Sequence, residues 1–234
     1  MVTRKTNDIQ EIARKLGSFW NLLTNEQQAL VKSQYTIRSY RRNELIYGEG
    51  ETPDHMSCIL SGKVKIYRDG IGGRAQIIRV LRPAQYFGYR ASMAHEPYVT
   101  AAAAFEESVI CSIPMSTISS ILDCNIRLAQ FFISELATDL GVADKRTVSL
   151  TQKHVRGRLA ESLLYLKEVY GVSSQEKCLN IRITREDLAS LSNMTTANAI
   201  RTLSSFANEG LLTIDGKQII LKDEKRLLEI SSLG

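Results

Sequence analysis

Residues 184–221 read TREDLASLSNMTTANAIRTLSSFANEGLLTIDGKQIIL. Thr184 has the character of an N-cap, and Asp187 three positions on completes an imperfect capping box, so a helix opens here. Leu188 and Leu191 form its apolar face. Ser192-Asn193-Met194 breaks it, and Asn193 suits a left-handed turn. Thr195 then caps a second helix with apolar positions at Ala199, Leu203 and Phe206, and Gly210 ends it. Ala189 is small where the two helices must approach. Two helices joined by a tight turn form the geometry that sets a second helix into a DNA major groove. Asp215-Gly216 between the apolar runs Leu211–Ile214 and Lys217–Leu221 predicts a β-hairpin directly after it, a wing.

The start of that second helix offers readers of base edges. Arg201 suits a guanine, Asn198 an adenine and Ala197 a thymine methyl, with Thr196 beside them. Thr184, Arg185 and Thr195 suit phosphate contacts, and Lys217 at the wing tip suits another. Double-stranded DNA is the partner this segment predicts.

Upstream, helical periodicity dominates. Ile126, Ala129, Ile133, Leu136, Leu140, Ala143, Thr147 and Leu150 follow one another in alternating steps of three and four, a heptad seam. Such a seam wants a partner along its length, and a symmetry-related copy supplies one, so these residues are the expected homodimer interface. Leu128 and Phe132 form a second apolar edge facing the preceding region. Gly141 interrupts the helix interior and should weaken it by about 1 kcal/mol relative to Ala. Val155, Leu159, Leu163, Leu166 and Tyr170 mark another amphipathic helix, stopped by Gly171. Leu179–Ile183 alternates like a half-buried strand.

Between Phe19 and Ile113 the chain shows short apolar runs of strand length: Met56–Leu60, Val64–Tyr67, Ile77–Leu81 and Ser108–Ile113. Turn signals separate them at Gly48-Glu49-Gly50, Ser61-Gly62, Asp69-Gly70 and Gly72-Gly73. Many short strands at regular spacing predict a small all-β barrel or jelly roll.

The 234 residues allow two modest domains, and a hydrophobic content of 44% is ordinary for a globular protein. No apolar run reaches membrane-spanning length, and the N-terminus, with Arg4, Lys5, Asp8, Glu11, Arg14 and Lys15, carries no secretory signal, so a cytoplasmic protein without a membrane partner is expected. A net charge of +5 suits an anionic partner without proving one, and residues 151–234 carry 12 basic and 10 acidic residues, a net of only +2. The densest basic stretch is Lys145, Arg146, Lys153, Arg156 and Arg158. Cys58, Cys111, Cys124 and Cys178 have no metal-ligand spacing and read as reduced thiols, so no metal site is expected. Neither a P-loop, a His/Glu metal cluster nor a nucleophile elbow is present, so the chain is not expected to be an enzyme.

From about residue 19 to 222 the chain resembles the Crp/Fnr family. Ile46-Tyr47-Gly48-Glu49-Gly50 and Ile59–Tyr67 are similar to its glycine-punctuated β-roll, and Leu81–Gly88 to the turn leading into its effector pocket. Ile183–Ala189, Arg201-Thr202-Leu203 and Gly210-Leu211-Leu212 resemble its DNA-binding signature. The resemblance implies an α+β chain: an N-terminal β-roll, jelly-roll-like and cyclic-nucleotide-binding-like, a long central dimerisation helix and a C-terminal winged helix-turn-helix. The expected divisions are 1–124, 125–150 and 151–234. It also implies a homodimeric bacterial transcription regulator that binds a near-palindromic promoter site, works with RNA polymerase and answers a small-molecule effector.

By that resemblance the effector pocket falls on Phe87, Gly88, Tyr89, Arg90, Tyr98, Val99 and Thr100. Cyclic-AMP binders follow the Phe-Gly turn with a Glu and carry an Arg-Ser pair for the cyclic phosphate. Here Tyr89 follows Gly88, Tyr98-Val99 stands at the pair, and Arg90 is one residue off register. A buried phosphate needs charge-assisted donors, and Val has none, so cyclic AMP is disfavoured. The aromatic residues and the Ala101–Ala104 run suggest an apolar pocket or a filled one. Residues 1–57 contain no Cys, which speaks against the iron–sulfur branch. His55, His95 and His154 leave haem open. The best-known members carry Arg and Glu at Thr196 and Ala197, so a different operator is expected. Two alternatives stand beside the ligand-controlled regulator: an effector-independent DNA-binding regulator, and a cyclic-nucleotide-binding regulatory module of another class.

Overall fold

The computed structural model describes residues 9–70, 73–173 and 178–234; Arg4, Lys5 and Asp8 of the polar N-terminus and Gly72 of the expected turn lie outside the described residues. The chain divides into two compact units: one runs up to Arg68 and takes in Arg79–Leu140, and the other comprises Asp69–Ile78 and Gly141–Gly234.

The first unit opens with helices α1 (Ile9–Lys15), α2 (Gly17–Asn21) and α3 (Asn25–Gln34). Thr24 starts α3 with a full capping box, its hydroxyl accepting from the Gln27 amide while the Gln27 side chain accepts from the Thr24 amide. Eight strands follow: β1 (Thr36–Tyr40), β2 (Leu45–Tyr47), β3 (His55–Ser61), β4 (Val64–Asp69), β5 (Ala75–Leu81), β6 (Tyr86–Phe87), β7 (Ala101–Ala104) and β8 (Ser108–Pro114). They form two sheets, in the orders β1-β8-β3-β6 and β2-β7-β4-β5, the double-sheet roll expected from the short alternating runs. Ile59, Val64, Ile66, Leu81, Phe87, Ala102, Ala104 and Ile110 share one core. All four alanines of β7 are buried.

A second core takes up other strand residues. Met56, Cys58, Leu60, Tyr86, Cys111 and Ile113 pack with Phe19, Trp20, Val31 and Ile118. Strand β3 is therefore covered on both faces, which is why its apolar run is nearly continuous rather than alternating. Cys58 and Cys111 are cross-strand partners and both are free; burial raises both thiols, Cys111 to about 12, so neither is a ready thiolate.

Short helices α4 (Tyr89–Met93) and α5 (Met115–Leu122) lead to the long helix α6 (Ile126–Gln152). Leu128 and Phe132 are buried in the second core against Phe19 and Tyr89, as the second apolar edge predicted. The seam points elsewhere: Ile126, Ile133 and Leu140 are 71%, 65% and 63% exposed in the single chain. Leu136 is half-buried, and Ala143 and Thr147 are exposed.

The second unit holds α7 (Val155–Tyr170), α8 (Arg185–Leu191), α9 (Thr196–Asn208), the hairpin β9 (Leu212–Asp215) and β10 (Gln218–Leu221), and α10 (Glu224–Leu233). Leu179, Ile181 and Ile183 are buried while Asn180 and Arg182 are exposed, the alternation read from the sequence. This segment bonds to β10 through Leu179 N–H to the Ile219 carbonyl and Ile183 N–H to the Lys217 carbonyl. Residues 75–78 belong to this unit, and Ser190 Oγ joins them to α8, donating to the Ala75 carbonyl and accepting from the Ile77 amide. Arg146 completes the junction. Its guanidinium donates to the carbonyls of Ile77 and Leu191, both at 2.8 Å, and of Ile78.

Candidate nucleic-acid interface

The helix pair forms as its caps dictate. Thr184 Oγ1 accepts from the Asp187 amide at 3.0 Å and donates to the Asp187 carboxylate at 2.7 Å. Asn193 turns the chain with a left-handed φ of 50°. Thr195 Oγ1 accepts from the Asn198 amide at 3.2 Å and starts α9. Ala199, Leu203 and Phe206 are buried on one face of α9, and Ala189 is buried between the helices, so the opposite face of α9 is left to solvent.

That face presents the expected readers together. Thr195, Thr196, Ala197 and Arg201 are exposed, and Asn198 is half-buried. Arg201 donates to the Asn198 amide oxygen one turn back, which holds both polar ends on the same side. Ile200, at 46% exposure, and Ser204 also stand there; neither carries a bidentate group, so the sequence gives no sign of them as readers. The wing forms at Gly216, with φ of 55°, and its register pairs Asp215 with Gln218. Arg185 donates to the Gly216 carbonyl at 3.0 Å, tying the start of α8 to the wing tip, where Lys217 is exposed. Thr184 is half-buried and its hydroxyl is engaged in its own cap.

Arg156, counted with the basic stretch, is occupied. It forms two parallel 2.8 Å bonds to the Glu209 carboxylate at the end of α9 and stacks over Phe206 at 4.9 Å. The Arg156 and Ser205 hydrogen bonds hold the Glu209 carboxyl at about 2, below its ordinary 4.5. A depressed carboxylate stabilises the fold above its ordinary value, and that stability is lost as pH falls toward the folded value. We expect acid to cost the wild type about 1 kcal/mol more than Glu209→Gln between about pH 5 and pH 3, a figure reduced for the pair's partial exposure. Urea melts of the two proteins at both pH values check this.

The residues expected to form the effector pocket lie in the first unit. Phe87, Tyr89 and Tyr98 are buried, Thr100 is half-buried, and Val99 and Arg90 are exposed. Arg90 donates to Glu96 at 2.7 Å. Tyr98 stacks on Tyr47 with centroids 3.7 Å apart, and Tyr47 packs toward Phe87. Gly88 has φ of 88°, and a Cβ there would lie 2.9 Å from the His55 carbonyl and 3.2 Å from the Tyr98 hydroxyl, so only glycine fits. Tyr47, in Ile46-Tyr47-Gly48, joins these residues only through the fold, since nothing in its local sequence marks it as a site residue. Among the described residues no group of three His, Cys, Asp or Glu side chains is arranged to hold a metal.

A β-roll, a long helix and a winged helix-turn-helix with its reading face open define a DNA-binding regulator with an appended cyclic-nucleotide-binding-like domain. The family description "Cyclic nucleotide-binding domain" matches residues 37–125, and "Crp-like helix-turn-helix domain" matches 157–230. Together they span more than half of the chain, and the chain belongs to the Crp/Fnr family of DNA-binding transcription regulators.

The CRP-like cAMP-activated global transcriptional regulator of Mycobacterium tuberculosis is 25% identical over 221 residues, covering 94% of this chain and 98% of the relative. The anaerobic regulatory protein of Bacillus subtilis is 24% identical over 214 residues, covering 90% of each. The solved structure of FixK2 from Bradyrhizobium japonicum aligns with a TM-score of 0.75 at 25% identity, covering 84% of this chain and 96% of that one. No described helix is long and apolar enough to cross a membrane.

Proposed function

We propose that two copies pair along the α6 seam and bind a near-palindromic promoter site, each setting one α9 into a major groove. The observation that carries this reading is the solvent exposure of Ile126, Ile133 and Leu140, three large apolar side chains at seven-residue spacing. A monomer gains nothing from that line, whereas a second copy buries it. Thr196, Ala197, Asn198 and Arg201 contact base edges, Thr195, Arg185 and Lys217 contact phosphates, and Thr184 orders α8. The domain divisions 1–124, 125–150 and 151–234 serve as sensor, pairing helix and reader. The protein acts in the cytoplasm, beside RNA polymerase, under control of a small signal in the β-roll.

Light scattering should give twice the mass of one chain. Anisotropy titrations should lose affinity steeply between low and physiological salt as phosphate counterions are released. A single-chain mass, or no duplex binding at low salt, would refute the reading. Arg201→Ala should relax the preference at one base pair per half-site, a loss of about 1–3 kcal/mol against the favoured base, while other positions keep theirs. Competition against single-base operator variants measures this.

A second reading has its own support. Tyr98 stacked on Tyr47 fills the space beside Gly88, and Arg90 is engaged by Glu96 rather than directed inward. The Glu and the Arg-Ser pair of the cyclic-AMP binders are replaced at the matching positions by Tyr89 and Tyr98-Val99, although the mycobacterial relative is named for cAMP. On this reading the β-roll acts without a nucleotide, and DNA affinity is unchanged by added cyclic AMP.

A further inference from the structure

A cavity of about 390 Å³ lies within the second unit, lined by the last turns of α6, by α7, by the end of α8 and by α10. Two polar groups on its wall are unusual. Among the described residues, Ser192 Oγ and Arg158 Nε are buried without a hydrogen-bond partner. Ser192 is only 1% exposed, so its hydroxyl cannot turn to bulk water. Leaving such a donor unmade costs about 1–3 kcal/mol, and a group like this calls for an occupant. Arg158, also on the wall, spends Nη1 on the Leu150 carbonyl at 3.3 Å, while its Nε–H has no partner.

The rest of the wall restricts the occupant. Val142, Leu164, Tyr165 and Leu228 give it an apolar side. Lys145 and Arg146 line it beside Arg158, facing Glu161 and Glu168, so three cations meet two carboxylates and the balance suits one negative charge better than two. Glu161 is itself satisfied by Lys153 at 3.2 Å and by Ser149 Oγ. Two unpartnered donors, an apolar wall and a lining with one more cation than carboxylate fit one kind of ligand: a monoanion with an apolar body. The volume suits a small molecule.

We propose that this cavity is a binding site for a small organic carboxylate, its head accepting from Arg158 Nε and Ser192 Oγ and its apolar body lying on the opposite wall. The site is separate from the β-roll region. Ser192 closes α8 one residue before the Asn193 turn into α9, so an occupant bears on the element that reads DNA. It has two ways to do so: through the Ser192 backbone, whose N–H completes α8 by bonding to Leu188, or through Leu191 beside it.

The test uses the full chain, with hexanoate and phenylacetate as probes and hexanamide as the uncharged control, in isothermal titration up to about 10 mM. Saturable binding of an acid is expected, weakened at least about tenfold in Ser192→Ala, which removes a donor, and in Leu228→Trp on α10, which fills the cavity. Both variants should bind duplex DNA as the wild type does without probe, so loss of the ligand site and failure of the regulator reading are told apart. No binding of either acid, equal binding of hexanamide, or binding untouched by both substitutions would overturn the proposal; a cavity satisfied by water gives the first of these.

Discussion

Ile133→Glu should turn the protein into a folded monomer and abolish tight binding to a full operator. Ile133 is 65% exposed in the single chain, so the substitution leaves the cores intact and the circular dichroism spectrum unchanged. In a symmetric pair the same position faces its own copy or a near neighbour on the seam, so each Glu is desolvated among apolar side chains and close to a second carboxylate. The dimer dissociation constant should rise by at least about a thousandfold, roughly 4 kcal/mol. Operator affinity falls with it, because one reading helix has only half the contacts and loses the advantage of linkage. Sedimentation equilibrium reads the first effect and anisotropy on a full and a half operator reads the second. Ile133→Leu should remain dimeric. A dimeric Glu variant would place the interface elsewhere.

Arg146→Met should destabilise the second unit strongly although it leaves the apolar core untouched. The guanidinium satisfies carbonyls at Ile77, Ile78 and Leu191, and Glu161 favours its charge without bonding to it. Burial lowers its pKa, which marks how dry the position is, yet an arginine stays charged. Methionine keeps the stem and removes every donor, so the Leu191 and Ile78 carbonyls lose the guanidinium and the Ile77 carbonyl keeps the Gln76 side-chain amide at 3.2 Å. Charged hydrogen bonds of this kind contribute about 1.5–3 kcal/mol each, so a loss of at least about 3 kcal/mol and a melting shift of roughly 10 °C or more is expected. Exchange of the Ile77 amide, now bonded to Ser190 Oγ at 3.2 Å, should quicken most. A variant melting within about 2 °C of wild type would show that the three carbonyls find other donors.

How much of this was legible in the sequence depended on how the physics was distributed. Caps and turns are local, so Thr184, Asn193, Thr195 and Gly216 announced the helix pair and the wing, and the structure has them. Runs of β-branched residues announced β3, β4, β5 and β8. Strands β2 and β6, of three and two residues, are too short for any period, and the four alanines of β7 have little strand preference of their own. Helix α10 was overlooked, although Asp223 caps it and Leu227 is its buried anchor. Arg146 and Arg156 looked like a solvated basic surface because their partners, Ile77, Leu191 and Glu209, lie some 45 to 69 residues away. The cavity at Ser192 was invisible for the same reason, since its walls come from four separate helices.

Paired α9 helices reading duplex DNA are the centre of the proposed function. Its most direct test is selection by the purified protein from a duplex pool with a randomised centre of about 30 base pairs, sequenced after several rounds. The expected product is an enriched inverted repeat whose half-sites lie about one helical turn apart, each with a guanine that Arg201→Ala no longer selects. A pool that stays random, or a single half-site with no symmetric mate, would contradict it.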